Sequence, residues 1–130
     1  MNVLFILYVK NQQKSCNFYK SLLLQEPVLN VPGMTEFQLS DNTKLGLMPE
    51  DGIAKILKDT VPHPSKGNGI PRCELYLTVN DPAEYYERAV KLGALPVSKL
   101  MLRDWGDEAA YCADPDGHII AFARKVNVEP

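Results

Sequence analysis

The sequence has little of what marks several common classes of protein. Its formal net charge is only -2 at pH 7, so it offers no excess of positive charge to a nucleic acid or to an anionic membrane surface. No apolar run approaches the roughly 20 residues that span a bilayer. The first residues carry neither the basic start nor the small-residue cleavage site of a signal peptide. We therefore expect a cytoplasmic protein without nucleic-acid or membrane partners.

Cysteine and histidine are also scarce. The three cysteines, Cys16, Cys73 and Cys112, are an odd number and stand far apart in apolar surroundings, which indicates buried, reduced thiols. The two histidines, His63 and His118, stand in a polar segment and at a turn, with no other ligand at metal-binding spacing, and we expect no metal role for either. Glycine-rich nucleotide loops and nucleophile elbows are absent from the sequence as well.

What is present is one pattern that occurs twice. The 130 residues are 45% hydrophobic and 23% charged, as in an ordinary globular domain. Periodicity and turn residues predict the following elements: a strand at 3–9, a helix at 15–24, strands near 28–31, 35–39 and 44–48, a helical turn at 53–57, then a strand at 74–79, a helix at 84–92, and strands at 97–102, 109–113 and 118–123. The sequence thus predicts a single domain of two βαβββ modules, 1–57 and 72–126, joined by a Pro/Gly-rich linker at 58–71.

Two signals support the second module in particular. Asp81 and Pro82 are typical of a helix N-cap and first turn. The sequence Asp114-Pro115-Asp116-Gly117 between two apolar runs predicts a tight hairpin turn. A four-stranded sheet with one helix leaves its second face uncovered, so we expect an α+β fold in which the tandem modules form a curved mixed sheet around a cavity.

Alternation along the first strand of each module separates the two faces. In the second module, Leu75, Leu77 and Val79 form the apolar set that should meet the helix. The residues that alternate with these should line the cavity: Glu74, Tyr76 and Thr78. The equivalent set on the first strand of the first module is Leu4, Ile6 and Tyr8.

Three stretches together resemble the vicinal oxygen chelate superfamily, which includes glyoxalase I, extradiol dioxygenases, and bleomycin- and fosfomycin-resistance proteins. They are residues 7–23, 74–94 and 105–123. The resemblance implies the glyoxalase/bleomycin-resistance fold and a homodimer with its groove between subunits. It also implies four metal-facing positions, one on the first and last strand of each module.

Carried over to this sequence, those four positions hold Leu4, Gly46, Glu74 and Ala121. A catalytic divalent ion needs three or more N, O or S ligands from the protein. One carboxylate among four positions does not provide them. We therefore expect no metal and no other cofactor, as in the bleomycin-resistance-like members.

The expected ligand-binding residues are those that line the cavity or border it: Glu74, Tyr76, Trp105, Tyr8, Met48 and Arg72. Three roles are open for Glu74, since it can pair with Arg72 or Arg103, recognise a ligand amine or hydroxyl, or act in general acid/base catalysis. Trp105, the only tryptophan, can stack on a planar ligand or simply pack over the hairpin.

The leading hypothesis is a metal-free binding protein for a small, partly aromatic molecule that can be cationic. One alternative is a metal-dependent, glyoxalase-like lyase or isomerase, or a dioxygenase, of the same superfamily. A second alternative is an interaction or regulatory module whose cavity is filled by its own side chains.

Overall fold

The computed structural model describes residues 1–126, in which the chain forms two compact units, one over residues 1–68 and one from Gly69 onward. The first unit contains β1 (Val3–Val9), α1 (Gln12–Leu23), β2 (Leu29–Val31), β3 (Met34–Ser40), β4 (Thr43–Pro49) and α2 (Glu50–Leu57). The second contains β5 (Glu74–Thr78), α3 (Pro82–Lys91), β6 (Leu95–Leu102), β7 (Asp107–Ala113) and β8 (Ile119–Lys125). The α+β class and the repeated βαβββ order are confirmed.

Each unit has one four-stranded mixed sheet, and the two sheets share a topology. The strand orders are β1-β4-β3-β2 and β5-β8-β7-β6. In both, the first strand of the module pairs in parallel with the last strand, and the other pairs are antiparallel. The last strand is therefore central in each sheet and has neighbours on both sides.

The first helix begins earlier than the sequence predicts. The side-chain oxygen of Asn11 accepts a hydrogen bond from the Lys14 amide at 2.9 Å and caps the helix. Helix α1 therefore begins at Gln12 instead of residue 15. Asparagine is both a turn residue and a favoured N-cap, and only the structure shows which role it has here.

The segment between the modules contains more structure than its composition indicates. A 3₁₀ helix spans Pro64–Gly67. His63 caps it, because its Nδ1 accepts a hydrogen bond from the Ser65 amide at 3.1 Å, while its Nε2 lies 2.9 Å from Oδ1 of Asp51. The contacts of His63 are thus those of a structural residue.

The predicted division of each sheet into a helix-facing and an open face is confirmed. In the first sheet, Leu7 lies beside Leu47 and both are buried, whereas Leu4 and Tyr8 of the same strand are exposed. In the second sheet, Leu77 lies beside Phe122, whose ring packs on Tyr85 of α3 with 5.7 Å between centroids. The odd-numbered leucines of β5 therefore share the face of Phe122, and the even-numbered residues lie on the opposite face.

The thiols follow the expectation in part. Cys16 and Cys112 are buried, but Cys73 is exposed, so the prediction of a buried thiol is wrong there. Cys73 lies just before β5, where the chain has not yet entered the sheet. Burial raises the pKa of the Cys112 thiol to about 12, and the nearby Asp114 carboxylate acts in the same direction. Within residues 1–126, no helix is long and apolar enough to cross a membrane.

The hairpin turn at Asp114–Gly117 forms as predicted. The buried Asp114 accepts hydrogen bonds at one carboxylate oxygen from the amides of Asp116 and His118, both at 2.9 Å. Gly117 has φ +90°, which favours glycine. The turn sets the register of β7 against β8, and both strands contribute to the site described next.

Candidate ligand-binding site

The open face of the second sheet brings together aromatic and acidic side chains. Tyr76 on β5 lies beside Ala121 on β8, which in turn lies beside Tyr111 on β7. Residues in register across a sheet point to the same side, so the two tyrosines flank a fully buried alanine. Glu74, two residues before Tyr76, and Asp107, four residues before Tyr111, lie on the same face at its two ends. The result is a small-residue floor with two phenol rings and two carboxylates around it.

Two hydrogen bonds in series join the side chains of Trp105, Tyr76 and Asp107. The Tyr76 hydroxyl donates to Oδ2 of Asp107 at 2.6 Å. The same hydroxyl oxygen accepts from Nε1 of Trp105 at 2.9 Å. Trp105 is still 57% exposed, so the indole is held by its nitrogen while much of the ring remains accessible.

The turn that carries Trp105 is closed by its own backbone. The Arg103 amide donates to the Asp107 carbonyl at 2.7 Å. Gly106 has φ +93°, a conformation that glycine adopts readily. This turn connects β6 to β7 and fixes the indole next to the first residue of β7.

The Arg103 side chain lies beside Tyr111 in the same site. Its guanidinium group donates to the carbonyl oxygens of Ala109 and Lys99 and to the Ser98 hydroxyl, at distances of 2.8–3.1 Å. It also lies 5.0 Å from the centre of the Tyr111 ring, within the range of a cation–π contact. Arg103 therefore holds strand β6 to β7 and supports Tyr111.

Both tyrosines are held in the neutral form. Burial raises the pKa of Tyr76, and the hydrogen bond to Asp107 raises it further, against a smaller opposing effect of Trp105. Burial also raises the pKa of Tyr111, as does the negative charge of Glu74, while Arg103 opposes them. The phenols are therefore hydrogen-bonding groups at neutral pH, and the negative charge of this face resides on its carboxylates.

The sequence-predicted residues divide between the two units. Glu74, Tyr76 and Trp105 lie in the second unit on the face just described, whereas Tyr8 and Met48 are neighbours in register on the open face of the first sheet. Arg72 is exposed just before β5.

The suggested pairing of Glu74 with Arg72 or Arg103 is wrong. Within residues 1–126 the Glu74 carboxylate forms no ion pair with either arginine. Arg103 instead directs its guanidinium group to backbone carbonyls and Ser98. Its Nε and Nη2 groups donate to the carbonyls of Lys99 and Ala109 and to the Ser98 hydroxyl.

Sequence reasoning missed two members of the site, Asp107 and Tyr111. Both lie on β7 with Ala109 between them at period two, Asp107, Ala109 and Tyr111. This alternation is visible in the sequence, but it did not identify the face because the strand was predicted to begin only at residue 109. Starting the strand at Asp107 would have placed both residues with Tyr76.

A second cluster lies at the hairpin turn. Asp114, Asp116 and His118 bring potential ligand atoms within 4.8 Å of one another, so the expectation that His118 lacks acidic neighbours is wrong. The Asp114 carboxylate accepts two backbone amides of the turn, and its Oδ2 lies 3.0 Å from Nδ1 of His118. These contacts stabilise the turn.

Comparison with known proteins agrees with the topology. The model of the glyoxalase/bleomycin resistance protein/dioxygenase superfamily matches residues 3–122. None of the curated proteins compared with the chain matches it. A tandem βαβββ chain matched over nearly its whole length defines the class of protein, and the chain belongs to this superfamily.

Solved structures are similar at the level of the fold. A glyoxalase-related enzyme from Fulvimarina pelagi has a TM-score of 0.81 at 22% identity, with 96% of this chain and 88% of that chain covered. A glyoxalase/bleomycin resistance protein/dioxygenase from Nocardioides has a TM-score of 0.76 at 18% identity, with coverages of 99% and 85%. A glyoxalase/bleomycin resistance protein from Catenulispora acidiphila has a TM-score of 0.67 at 21% identity, with coverages of 97% and 99%.

The metal that the superfamily implies does not fit the residues of this chain. A Cβ added to Gly46 would lie 3.0 Å from Ile6, 3.2 Å from Leu4 and 3.3 Å from Met34, so apolar side chains occupy the space of a ligand there. Ala121 is fully buried and has no donor atom. Of the four positions, only Glu74 offers a metal ligand, which is too few for a divalent ion.

Proposed function

We propose that the protein is a metal-free binding protein for a small, partly aromatic and cationic molecule, which it holds without making or breaking a bond. The observation that carries this proposal is the arrangement of Trp105, Tyr76 and Tyr111 beside the carboxylates of Glu74 and Asp107. Aromatic faces attract planar ligands and cations. Carboxylates without a cationic partner favour a ligand that supplies one.

The four positions that hold a metal in enzymes of the superfamily support the same proposal. Here three of them carry Leu4, Gly46 and Ala121, whose side chains cannot coordinate an ion or transfer a proton. An apolar surface remains where the chemistry of a lyase or dioxygenase would need charged groups. Binding is the function that these residues can still perform.

A thermal-shift screen tests the proposal. Planar aromatic amines are compared with apolar aromatic molecules of the same size and with aliphatic amines. A ligand at 100 times its Kd stabilises the folded state by about 2.7 kcal/mol, which gives a clear shift. We expect stabilisation by the aromatic amines and a weaker effect in Glu74→Gln. If no aromatic compound stabilises the protein, or if Glu74→Gln binds each one unchanged, the proposal is wrong.

A homodimer is part of this proposal. Strand β6 is an edge strand of its sheet, and three of its apolar side chains are more than half exposed, namely Leu95, Val97 and Leu102. Exposed edges and apolar patches of this kind favour association with another surface. Sedimentation velocity at micromolar concentration should give twice the chain mass of 14.6 kDa. A species of the chain mass alone would contradict the dimer.

The proposal also places the protein in the cytoplasm. Cys16, Cys73 and Cys112 are all free thiols, as is usual in a reducing compartment. Fractionation of the native host with an antibody against the chain would test this location, and recovery with secreted proteins would refute it.

A further inference from the structure

The hydrogen-bond chain of the site uses the donors of both its aromatic members. A tyrosine hydroxyl has one hydrogen and a tryptophan ring has one N–H. Tyr76 donates its hydrogen to Asp107, and Trp105 donates its own to Tyr76. Neither side chain has a hydrogen left for a ligand, although the Trp105 ring is 57% exposed.

The polar atoms that remain at the Trp105 end are acceptors. Only Oδ2 of Asp107 is bonded to Tyr76, and its other oxygen has no hydrogen-bond or ion-pair partner among residues 1–126. Glu74, which lies at the other end of this face, likewise has no such partner in the part of the chain that the structure describes. The Tyr76 oxygen accepts one hydrogen bond and has a second lone pair.

The nearby cationic side chains do not pair with these acceptors. The guanidinium group of Arg103 is directed to Ser98 and to backbone carbonyls and lies over Tyr111, and within residues 1–126 it forms no ion pair with Asp107 or Glu74. Lys125 is in register with Asp107 across the sheet, but the two form no ion pair within residues 1–126. The Tyr111 hydroxyl remains a donor on the side of Arg103.

The geometry points to a ligand class: a planar aromatic molecule that brings its own N–H donors, such as an aryl amine or amidine in its protonated form. The ring lies on the exposed face of Trp105, and its N–H groups donate to the free carboxylate oxygen of Asp107 and to the remaining lone pair of the Tyr76 oxygen. This inference rests on the proposed function and adds that positive charge alone is not sufficient. If the ligand had hydrogen-bond acceptors in place of these N–H groups, its acceptors would face the carboxylate oxygen of the protein without a hydrogen between them. Such an arrangement disfavours binding.

Asp107 has a second role as a positioning residue. By accepting the Tyr76 hydrogen, it forces the Tyr76 oxygen to act as acceptor toward Trp105. The indole is thereby oriented before the ligand arrives. Fixing an exposed side chain in advance lowers the entropy lost on binding.

Three acridine probes of one shape test the ligand class by isothermal titration calorimetry. Proflavine is a flat cation with two amino groups, 10-methylacridinium is a flat cation without an N–H, and acridine-9-carboxylate is a flat anion. Charged hydrogen bonds contribute enough to change affinity about tenfold or more. We expect proflavine to bind at least about tenfold more tightly than 10-methylacridinium, and acridine-9-carboxylate not to bind.

The outcomes separate this inference from the proposed function. Equal affinities for proflavine and 10-methylacridinium would overturn the donor requirement and leave the binding of planar cations intact. Tighter binding of acridine-9-carboxylate would overturn the inference and the cationic part of the proposed function together. Failure of all three probes to bind would count against the aromatic binding site itself and therefore against both.

Variants assign the effect to the named residues. In Asp107→Asn, which also replaces an acceptor by an amide N–H, proflavine should lose about tenfold in affinity and most of its advantage over 10-methylacridinium. Asp104→Asn makes the same change of charge in the same turn and serves as the matched control. If Asp107→Asn does not fold, Tyr76→Phe, which removes the other acceptor at the Trp105 end, gives the comparison. Unchanged selectivity between the probes in the folded variant would refute the assignment.

The positioning role has a readout that needs no ligand. Trp105 is the only tryptophan, so its fluorescence reports this site alone. In the unliganded protein, Tyr76→Phe and Asp107→Ala should both lower the steady-state anisotropy of the Trp105 emission and shift it to longer wavelength, whereas Asp104→Ala should not. An unchanged emission in both site variants would show that the indole is not held through Tyr76.

Discussion

Replacement of Gly117 by alanine should be among the most damaging small substitutions in the second unit. Gly117 closes the hairpin between β7 and β8 with φ +90°. A Cβ at this position would lie 2.7 Å from the Cα atom of Gly69. That contact is with backbone, so no side-chain rotation can relieve it.

Two terms set the magnitude. An alanine in left-handed backbone costs about 1–2 kcal/mol, and a forced overlap in a packed region costs typically about 1–3 kcal/mol more. Alanine also has less conformational freedom than glycine in the unfolded chain, which offsets about 0.4–1 kcal/mol of the lost stability. The middle of these ranges gives an expected loss in unfolding free energy of about 3 kcal/mol for Gly117→Ala.

Urea unfolding measures the loss, and Gly33→Ala provides the control. Gly33 has a similar φ of +96°, but an added Cβ there meets nothing within 4 Å. It should lose only about 1 kcal/mol or less, since strain is its one penalty. With typical urea slopes, the midpoint of Gly117→Ala should fall by roughly 1–2 M. Equal effects of the two substitutions would refute the close approach of Gly117 to Gly69.

Three further predictions concern the thiols and one helix cap. At pH 8, only Cys73 of the three thiols should react with a thiol reagent in the native protein, because Cys16 and Cys112 are buried and have raised pKa values. All three thiols should react in denaturant. Rapid reaction of two or three thiols in the native protein would contradict this prediction. The Cys112 pKa is raised from 9.0 to about 12, so the stability that comes from burying the neutral thiol is complete below pH 9 and is lost as the pH rises toward 12. Between pH 9 and 12, the unfolding free energy of Cys112→Ala should therefore fall less steeply than that of the unmodified protein. Equal slopes for the two proteins would refute this prediction. Asp81→Ala removes the acceptor for the Glu84 amide and should cost about 1 kcal/mol in urea unfolding, whereas Asn80→Ala should cost little.

The repeated topology could be predicted from the sequence because its signals are local. Apolar alternation, the Asp81 cap and the turn at Gly117 each depend on a few neighbouring residues. The helix start at Gln12 was missed because Asn11 is equally suited to a turn and to a cap, and the choice depends on whether the Lys14 amide is within reach.

The composition of the site could be predicted only in part. Glu74, Tyr76 and Trp105 were found from alternation and from the resemblance, but the partner of Tyr76 was not. Asp107 is separated from Tyr76 by 31 residues, and their contact depends on the register of β7 against β8 and of β8 against β5. A shift of one residue in either pairing would place Asp107 on the helix-facing side.

The pairing expected for Glu74 failed for a related reason. Charge indicates which residues can attract each other, but the fold decides which atoms meet. Arg103 follows β6, whose register against β7 shifts between Ser98 and Met101, and the carbonyls of Lys99 and Ala109 accept hydrogen bonds from its guanidinium group. Because Arg103 binds these carbonyls and not Glu74, the Glu74 carboxylate keeps its negative charge without an ion-pair partner in the described part of the chain.

The central claim is that this member of the superfamily binds its ligand without a metal. Elemental analysis of the purified, chelator-free protein tests it most directly, followed by a thermal-shift series with Zn, Ni, Mn and Fe(II). Leu4, Gly46 and Ala121 at three of the four positions predict less than about 0.1 metal per chain and no stabilisation by any of these ions. About one metal per chain, or strong stabilisation by one ion that Glu74→Gln abolishes, would contradict the account.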